Sequence, residues 1–100
     1  VYRSVSNAEA QDIKNTGQFN LAPGGMESKQ FGFNLSETRQ FGNMIGQNTI
    51  VSARVPNSML SQLYTGGVDT SIFRAGTLTV YGDQLGAFNQ AVSRTIKFMQ

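Results

Sequence analysis

The chain has 100 residues, of which 39% are apolar and 14% are charged, and its formal charge at neutral pH is +2. This length and composition predict a single globular domain, spanning residues 1–100, with a core of its own. The sequence contains no cysteine and no histidine. Disulfides, thiol catalysis and most zinc or iron sites are thereby excluded, and we expect neither a metal nor a cofactor.

The sequence contains no apolar run of membrane-spanning length and no signal-peptide pattern, so we expect no membrane-spanning segment. It opens directly on the strand pattern VYRSVS, which indicates a domain excised from a larger protein. Its eight cationic side chains are dispersed along the chain. Dedicated nucleic-acid-binding modules usually cluster such charges, whereas an enzyme that acts on RNA needs only a few of them at one phosphate.

The N-terminal part predicts a strand followed by a short helix. Val1, Tyr2 and Val5 are β-branched or aromatic, so residues 1–5 predict a strand. Ser6 is placed to cap a helix over about 7–15, with Glu9 reaching back in a reciprocal capping box. Gly17 is expected to end that helix.

The remaining pattern predicts alternating short elements. They are a loop over 18–26, a strand over 28–33, a helix over 35–45 capped by Asn34, a strand over 49–55, a short helix over 56–64, a bent strand or hairpin over 71–81, and a helix from an Asp83 cap to Met99. We therefore predict an α+β domain with a small, mostly antiparallel twisted sheet of four to five strands and three to four short helices.

Five side chains are candidates for a functional site. Arg3, in mid-strand, is either a solvated edge cation or an anchor for phosphate oxygens. Lys29 is either a loop-edge charge or a cation whose proton affinity falls near apolar surface. Thr77, Thr79 and Tyr81 share one face of a predicted strand, where they either form an ordinary half-exposed surface or bind phosphate.

The order of short motifs is more specific than any one of them. The chain reads YR-x-V-S-x-x-E, T-G-x-F, G-G-x-E-x-K-x-F, I-V-x-x-x-V-P, D-T-x-x-F and L-x-x-F-N between residues 2 and 89. This order resembles the C-terminal toxin domains of polymorphic bacterial toxins, as carried by contact-dependent growth inhibition effectors and Rhs proteins. The resemblance implies export as part of a cell-surface effector, action in the cytoplasm of a target bacterium, and a cognate immunity protein as partner.

Within that group, the chain resembles the ribonucleases of the barnase, EndoU, colicin D and RelE type. The resemblance implies metal-independent cleavage of RNA, with transfer RNA as substrate and a translation elongation factor as a helper in some members. The RNA 2′-hydroxyl would attack phosphorus while Arg3 and Lys29 clamp the phosphate oxygens. Tyr81 or Lys29 would move protons, and Thr77 and Thr79 would position the phosphate. This hypothesis requires Arg3 and Lys29 to lie on one side of the molecule.

Two alternatives remain open from the sequence. An ADP-ribosyltransferase or NAD-glycohydrolase toxin would use an arginine on its first strand, a Ser/Thr-containing strand and a late glutamate. Arg3 and the segment FGFNLSET match the first two requirements, but the late acidic residues are Asp69 and Asp83. The other alternative is a non-catalytic interaction module, which would be harmless when expressed without a protective partner.

Overall fold

The computed structural model describes residues 1–21, 28–67 and 69–99. These residues form one antiparallel sheet of six strands and four helices, which confirms the predicted α+β class. The elements are β1 (Tyr2–Val5), α1 (Asn7–Thr16), β2 (Ser28–Gly32), α2 (Leu35–Ile45), β3 (Thr49–Ser52), α3 (Asn57–Leu60), β4 (Tyr64–Gly66), β5 (Thr77–Tyr81), α4 (Leu85–Val92) and β6 (Lys97–Met99). Most of the loop predicted over 18–26 lies outside the described residues.

The predicted caps of α1 and α2 are present, but Glu9 does not close the predicted capping box. The hydroxyl of Ser6 accepts from the Glu9 amide at 3.1 Å, and Oδ1 of Asn34 accepts from the Glu37 amide at 3.0 Å. The Glu37 carboxylate instead accepts from the Ala75 amide at 3.1 Å, and that of Glu9 turns to side chains of the sheet. Both glutamates therefore serve tertiary contacts.

Three predicted elements in the C-terminal half are wrong in their extent. The helix predicted over 56–64 is a single turn, and residues 64–66 form β4 because they pair with β5. Residues 71–76 are turns, so only 77–81 form a strand.

The helix predicted to reach Met99 ends at Val92. A short 3₁₀ turn follows, in which the Thr95 hydroxyl donates to the Val92 carbonyl at 2.8 Å and accepts from the Arg54 amide at 2.8 Å. The chain then runs as β6 along β3, with Phe98 opposite Val51. Residues 97–99 therefore pair with the open edge of β3, although the spacing of their apolar residues also suits a helix. Tertiary pairing here outweighs local propensity.

The strand order is β4-β5-β2-β1-β3-β6. β1 pairs with β3 over four residues, but it pairs with β2 only where Tyr2 lies opposite Gly32. The sheet is therefore weakly joined at its centre. We call the region between β1 and β2, beyond the Tyr2–Gly32 pair, the seam.

Helices cover both faces of the sheet. On one face Phe31 packs against Phe19 and Phe88, with ring centroids 5.1 and 5.2 Å from the Phe31 ring, so α4 lies over that face. On the other face α2 lies against β1, and a Cβ atom on Gly42 would collide with the Gln47 carbonyl and lie 2.8 Å from Oγ of Ser4. None of the helices in the described ranges is long and apolar enough to cross a membrane.

Candidate functional site

The side chain of Arg3 occupies the seam. Its Nη1 donates to the Gln30 carbonyl at 2.9 Å, so the guanidinium reaches β2 from β1 where the two strands do not pair. Its Nε and Nη2 donate to the two carboxylate oxygens of Glu9 at 2.7 and 3.1 Å. This bidentate geometry fixes the guanidinium plane as well as its charge.

Lys29 reaches the same carboxylate from β2. Its Nζ lies 3.4 Å from Oε2 of Glu9, and only 8% of the Lys29 side chain is exposed, against 17% for Glu9 and 22% for Arg3. We call these three residues the seam triad. The required proximity of Arg3 and Lys29 is therefore confirmed, with Glu9 as the group that brings them together.

The local sequence explains why Glu9 lies there. Ser6 caps α1 three residues after Arg3, so the first turn of the helix follows directly on the end of β1. Glu9 belongs to that first turn, where the positive end of the helix dipole also favours a carboxylate.

The triad shifts the proton affinities of two of its members. Burial raises the pKa of Glu9, but the hydrogen bond and charge of Arg3 and the charge of Lys29 outweigh this, so the pKa lies below its ordinary value. The pKa of Lys29 also lies below its ordinary value, because burial and the charge of Arg3 outweigh the attraction of Glu9. Two cations against one carboxylate leave the triad with a net charge of +1.

The three predicted hydroxyl residues do not join the triad. Lys29 lies opposite Val80 and Gln30 lies opposite Thr79, so Lys29 and Thr79 project from opposite faces of the sheet. Thr77 and Tyr81 project from the face of Thr79. Lys29 and the three hydroxyl residues therefore lie on opposite faces of the sheet, and of the five predicted site residues only Arg3 and Thr77 line one cavity.

The hydroxyl residues have other surroundings. Thr77 and Thr79 are buried, at 2% and 3% exposure, and the Thr77 hydroxyl donates to the Gly66 carbonyl at 2.9 Å. Their main contribution is to the packing and pairing of β4 and β5. Tyr81 is half exposed at the end of β5, next to the turn that leads into α4.

A cavity of about 240 Å³ lies on the α2 side of the sheet, next to the seam. We call it the seam cavity. Most of its lining surface is apolar, and the lining residues include Tyr2, Arg3, Ser28, Gln30, Thr38, Phe41, Ile45, Gln47, Asp69, Phe73 and Thr77. Arg3 thus belongs to both the triad and the cavity wall.

The described residues contain no cluster of three acidic, histidine or cysteine side chains able to hold a metal ion. The triad instead combines two cations with one carboxylate, and the charge of Asp12 also acts on Lys29. A guanidinium and an ammonium group are the side chains that bind phosphate oxygens most readily.

Comparison of the chain with protein-family models, with curated proteins and with solved structures found no match. A functional assignment therefore depends on the residues and geometry of this chain.

Sequence reasoning missed Glu9 as a site residue. Its position in a capping-box pattern was a sufficient reason for a glutamate at the start of a helix. Only the tertiary structure turns the Glu9 carboxylate toward two cations. One signal was available, since Arg3 and Glu9 are six residues apart across a strand end and a helix cap, which favours contact between them.

Proposed function

We propose that this domain is a metal-independent RNA endonuclease that acts as an antibacterial toxin. The observation that carries the proposal is the seam triad, in which one carboxylate and two cations meet beside a cavity. These three groups supply a base, an oxyanion clamp and an acid without a histidine. They replace the earlier assignment of protons to Tyr81 and of phosphate positioning to Thr77 and Thr79.

In the proposed reaction, the Glu9 carboxylate takes the proton of the RNA 2′-hydroxyl as its oxygen forms a bond to phosphorus. Arg3 stabilises the charge that develops on the non-bridging oxygens. The bond from phosphorus to the 5′-oxygen breaks, and Lys29 donates a proton to that leaving oxygen. The products are a 2′,3′-cyclic phosphate and a 5′-hydroxyl, so no water or metal is consumed.

The lowered pKa values are compatible with these roles. A carboxylate with a lowered pKa is ionised at neutral pH and is ready to accept a proton, although it is a weaker base than an ordinary glutamate. An ammonium group with a lowered pKa is a stronger acid than an ordinary lysine.

The NAD-dependent alternative receives less support. The seam cavity, at about 240 Å³, is smaller than the roughly 300 Å³ at which pockets for drug-sized ligands begin. The cavity would not enclose a whole dinucleotide. The late glutamate that a transferase would use is also missing, because the late acidic residues are Asp69 and Asp83.

The biological setting of the proposal comes from the motif order. Its resemblance to polymorphic toxins supports transfer RNA as the substrate, a cognate immunity protein as a tight partner, and an elongation factor as a helper. It also supports delivery by a cell-surface effector into the cytoplasm of the target bacterium.

The test is cleavage of bacterial RNA by the purified domain in the presence of EDTA. We expect discrete transfer RNA fragments that end in a 2′,3′-cyclic phosphate. Glu9→Gln and Lys29→Met should each lower the cleavage rate by about 10²–10⁴-fold, the usual share of general acid–base catalysis. Circular dichroism would verify that each variant remains folded.

Lys97→Met and Arg94→Lys are matched controls, since both cations are exposed and lie outside the triad and the cavity. Both should cleave RNA at the wild-type rate. Wild-type cleavage by folded Glu9→Gln would exclude the proposed site. Release of nicotinamide from NAD, with intact RNA, would replace the proposal with the transferase alternative.

A further inference from the structure

We propose that the outer edge of β6 binds an acidic, extended segment of a partner protein, which adds a strand to the sheet. This partner site goes beyond the proposed nuclease activity and does not depend on it. It consists of an edge strand with outward-facing backbone groups and of four exposed cations around that strand, Lys14, Arg54, Arg94 and Lys97. We call this surface the β6 edge.

The register of the sheet turns the backbone of Phe98 outward. The nitrogen of Val1 donates to the Ala53 carbonyl at 2.7 Å, and the Ala53 amide donates to the Val1 carbonyl at 3.0 Å. Such doubly bonded pairs alternate along antiparallel strands, so Val51 also turns its backbone groups toward β1. Phe98 lies opposite Val51, and its N–H and C=O groups therefore point away from β3.

These outward groups are open to a further strand. β6 is the last strand in the sheet order, and no strand of the described residues lies beyond it. An unpaired N–H and C=O pair on an edge strand is the template to which an extended peptide adds by main-chain hydrogen bonds. Phe98 and Met99 are half-buried, so the same edge also offers some apolar surface.

Two of the cations lie on opposite faces of the sheet beside Phe98. The Nζ atom of Lys14, in the last turn of α1, lies 5.1 Å from the centre of the Phe98 ring. Lys97 precedes Phe98 in β6, so its side chain projects from the other face. Two consecutive residues of an added strand also project from opposite faces. Adjacent acidic residues at this point would therefore each meet one lysine.

Two arginines extend the positive charge along the start of β6. The Arg54 amide donates to the Thr95 hydroxyl at 2.8 Å, and Arg94 directly precedes Thr95. Residues 49–56 and 93–99 contain no acidic side chain. In the part of the chain that the structure describes, none of the four cations forms an ion pair. The charge of the β6 edge is therefore left for a partner to neutralise.

This charge decides which strands can pair with the β6 edge. Lysines on an edge strand oppose pairing with a second copy of the same chain, because like charges would meet. An acidic strand is attracted by the same side chains. β4, at the opposite end of the sheet, consists of Tyr64–Gly66 and carries no charged side chain, so it lacks this selectivity.

An acidic peptide matches the β6 edge better than RNA does. Phosphate oxygens would also be attracted by the cations, but they only accept hydrogen bonds and cannot bond the outward carbonyl of Phe98. A peptide strand supplies both a donor and an acceptor at the spacing of a sheet.

The experiment is NMR titration of the isotope-labelled domain with a capped eight-residue peptide of valine and threonine that carries two adjacent glutamates at its centre. A peptide with glutamines in their place is the matched ligand. We expect the glutamate peptide to bind about tenfold more tightly, as a few exposed ion pairs allow, and to slow hydrogen exchange of the Phe98 amide about tenfold or more. The double variant Lys14→Gln, Lys97→Gln should lose this preference. Arg74→Gln, at an exposed position in the turns before β5, should keep it.

Backbone pairing is tested separately from charge. Methylation of alternate peptide nitrogens removes the hydrogen-bond donors from one edge of the peptide only. Of the two glutamate peptides methylated on opposite edges, we expect one to bind like the parent and the other to bind at least tenfold more weakly. Equal binding of both would overturn strand addition.

The remaining outcomes also decide the proposal. Equal affinity for the glutamate and glutamine peptides, or protection at β4 in place of Phe98, would overturn it. A single-stranded DNA oligonucleotide that binds more tightly than the peptide, and that loses affinity in the double variant, would reassign the β6 edge to nucleic acid. The titration involves no RNA cleavage, so failure of the nuclease proposal would leave these expected results unchanged.

Discussion

At the scale of single residues, Glu9 links local structure to the candidate site. Its amide completes the cap of α1, and its carboxylate binds Arg3 and Lys29 across the seam. Removal of one partner from a poorly solvated ion cluster costs more than the intact cluster contributes, because an uncompensated charge remains. The triad should therefore influence stability whether or not it acts on RNA.

We predict that part of the acid sensitivity of the fold comes from Glu9. Its folded pKa lies below its ordinary value of 4.5, so the triad stabilises the fold above that value, and the contribution is lost as the pH falls through the folded pKa. Urea unfolding at a series of pH values should show this loss in the wild type and a flatter dependence in Glu9→Gln. Asp83→Asn is the control at an exposed position. Identical pH dependence in Glu9→Gln and the wild type would contradict the prediction.

At the scale of elements, α4 does more than cover the sheet. The buried side chain of Asn89 accepts from the Phe19 amide and donates to the Phe19 carbonyl, both at 2.8 Å. One amide side chain thus satisfies both backbone groups of a residue that belongs to no strand or helix. This clamp holds the Phe19 ring against Phe31 and Phe88.

We predict that Asn89→Ala destabilises the domain by about 2–4 kcal/mol, because each of two buried backbone groups left unpaired costs about 1–3 kcal/mol. Denaturant unfolding would measure the change. Gln90→Ala, in the same helix but exposed, should change stability by less than about 0.5 kcal/mol. A loss at Asn89 no larger than the loss at Gln90 would show that the clamp is dispensable.

At the scale of the whole molecule, the sheet consists of two well-paired halves that meet at the seam. β4, β5 and β2 form one half, and β1, β3 and β6 form the other. Only one residue pair joins β1 to β2, whereas five join β2 to β5 and four join β1 to β3. The shared core and the triad must therefore hold the halves together.

We predict that Glu9→Gln loosens the seam before it loosens the rest of the sheet. In native-state hydrogen exchange, the amides of β1 and β2 that face the seam should exchange about tenfold faster relative to the slowest amides, which report global unfolding. The amides of β5 should keep their relative protection, since its ladders with β2 and β4 are intact. A uniform acceleration across all strands would contradict a local role for the triad.

Much of the fold was predictable because it follows from local chemistry. The caps at Ser6 and Asn34 and the left-handed glycines at 17 and 46 define α1 and α2 within a residue or two of their predicted limits. The C-terminal half was less predictable. There β4 and β6 are three-residue edge strands whose identity depends on partners distant in sequence.

The candidate site was predictable only in part. Arg3 and Lys29 stand out by their strand positions, and they do meet. The grouping of Lys29 with Thr77, Thr79 and Tyr81 failed, because the face that a strand residue occupies depends on register. Register is set by pairing between β2 and β5, which no local pattern specifies.

By itself, the sequence determined the fold class, the limits of the first two helices, and the choice of Arg3 and Lys29 as candidate site residues. Caps, glycines and alternation act within a few residues, so they can be recognised without the tertiary structure. Only the tertiary structure decided that the sheet is split at its centre, that Glu9 binds both cations there, and that Arg3 also lines a cavity on the other face. These features depend on contacts between distant segments, and their free energy comes from burial and pairing that exist only once the chain has folded.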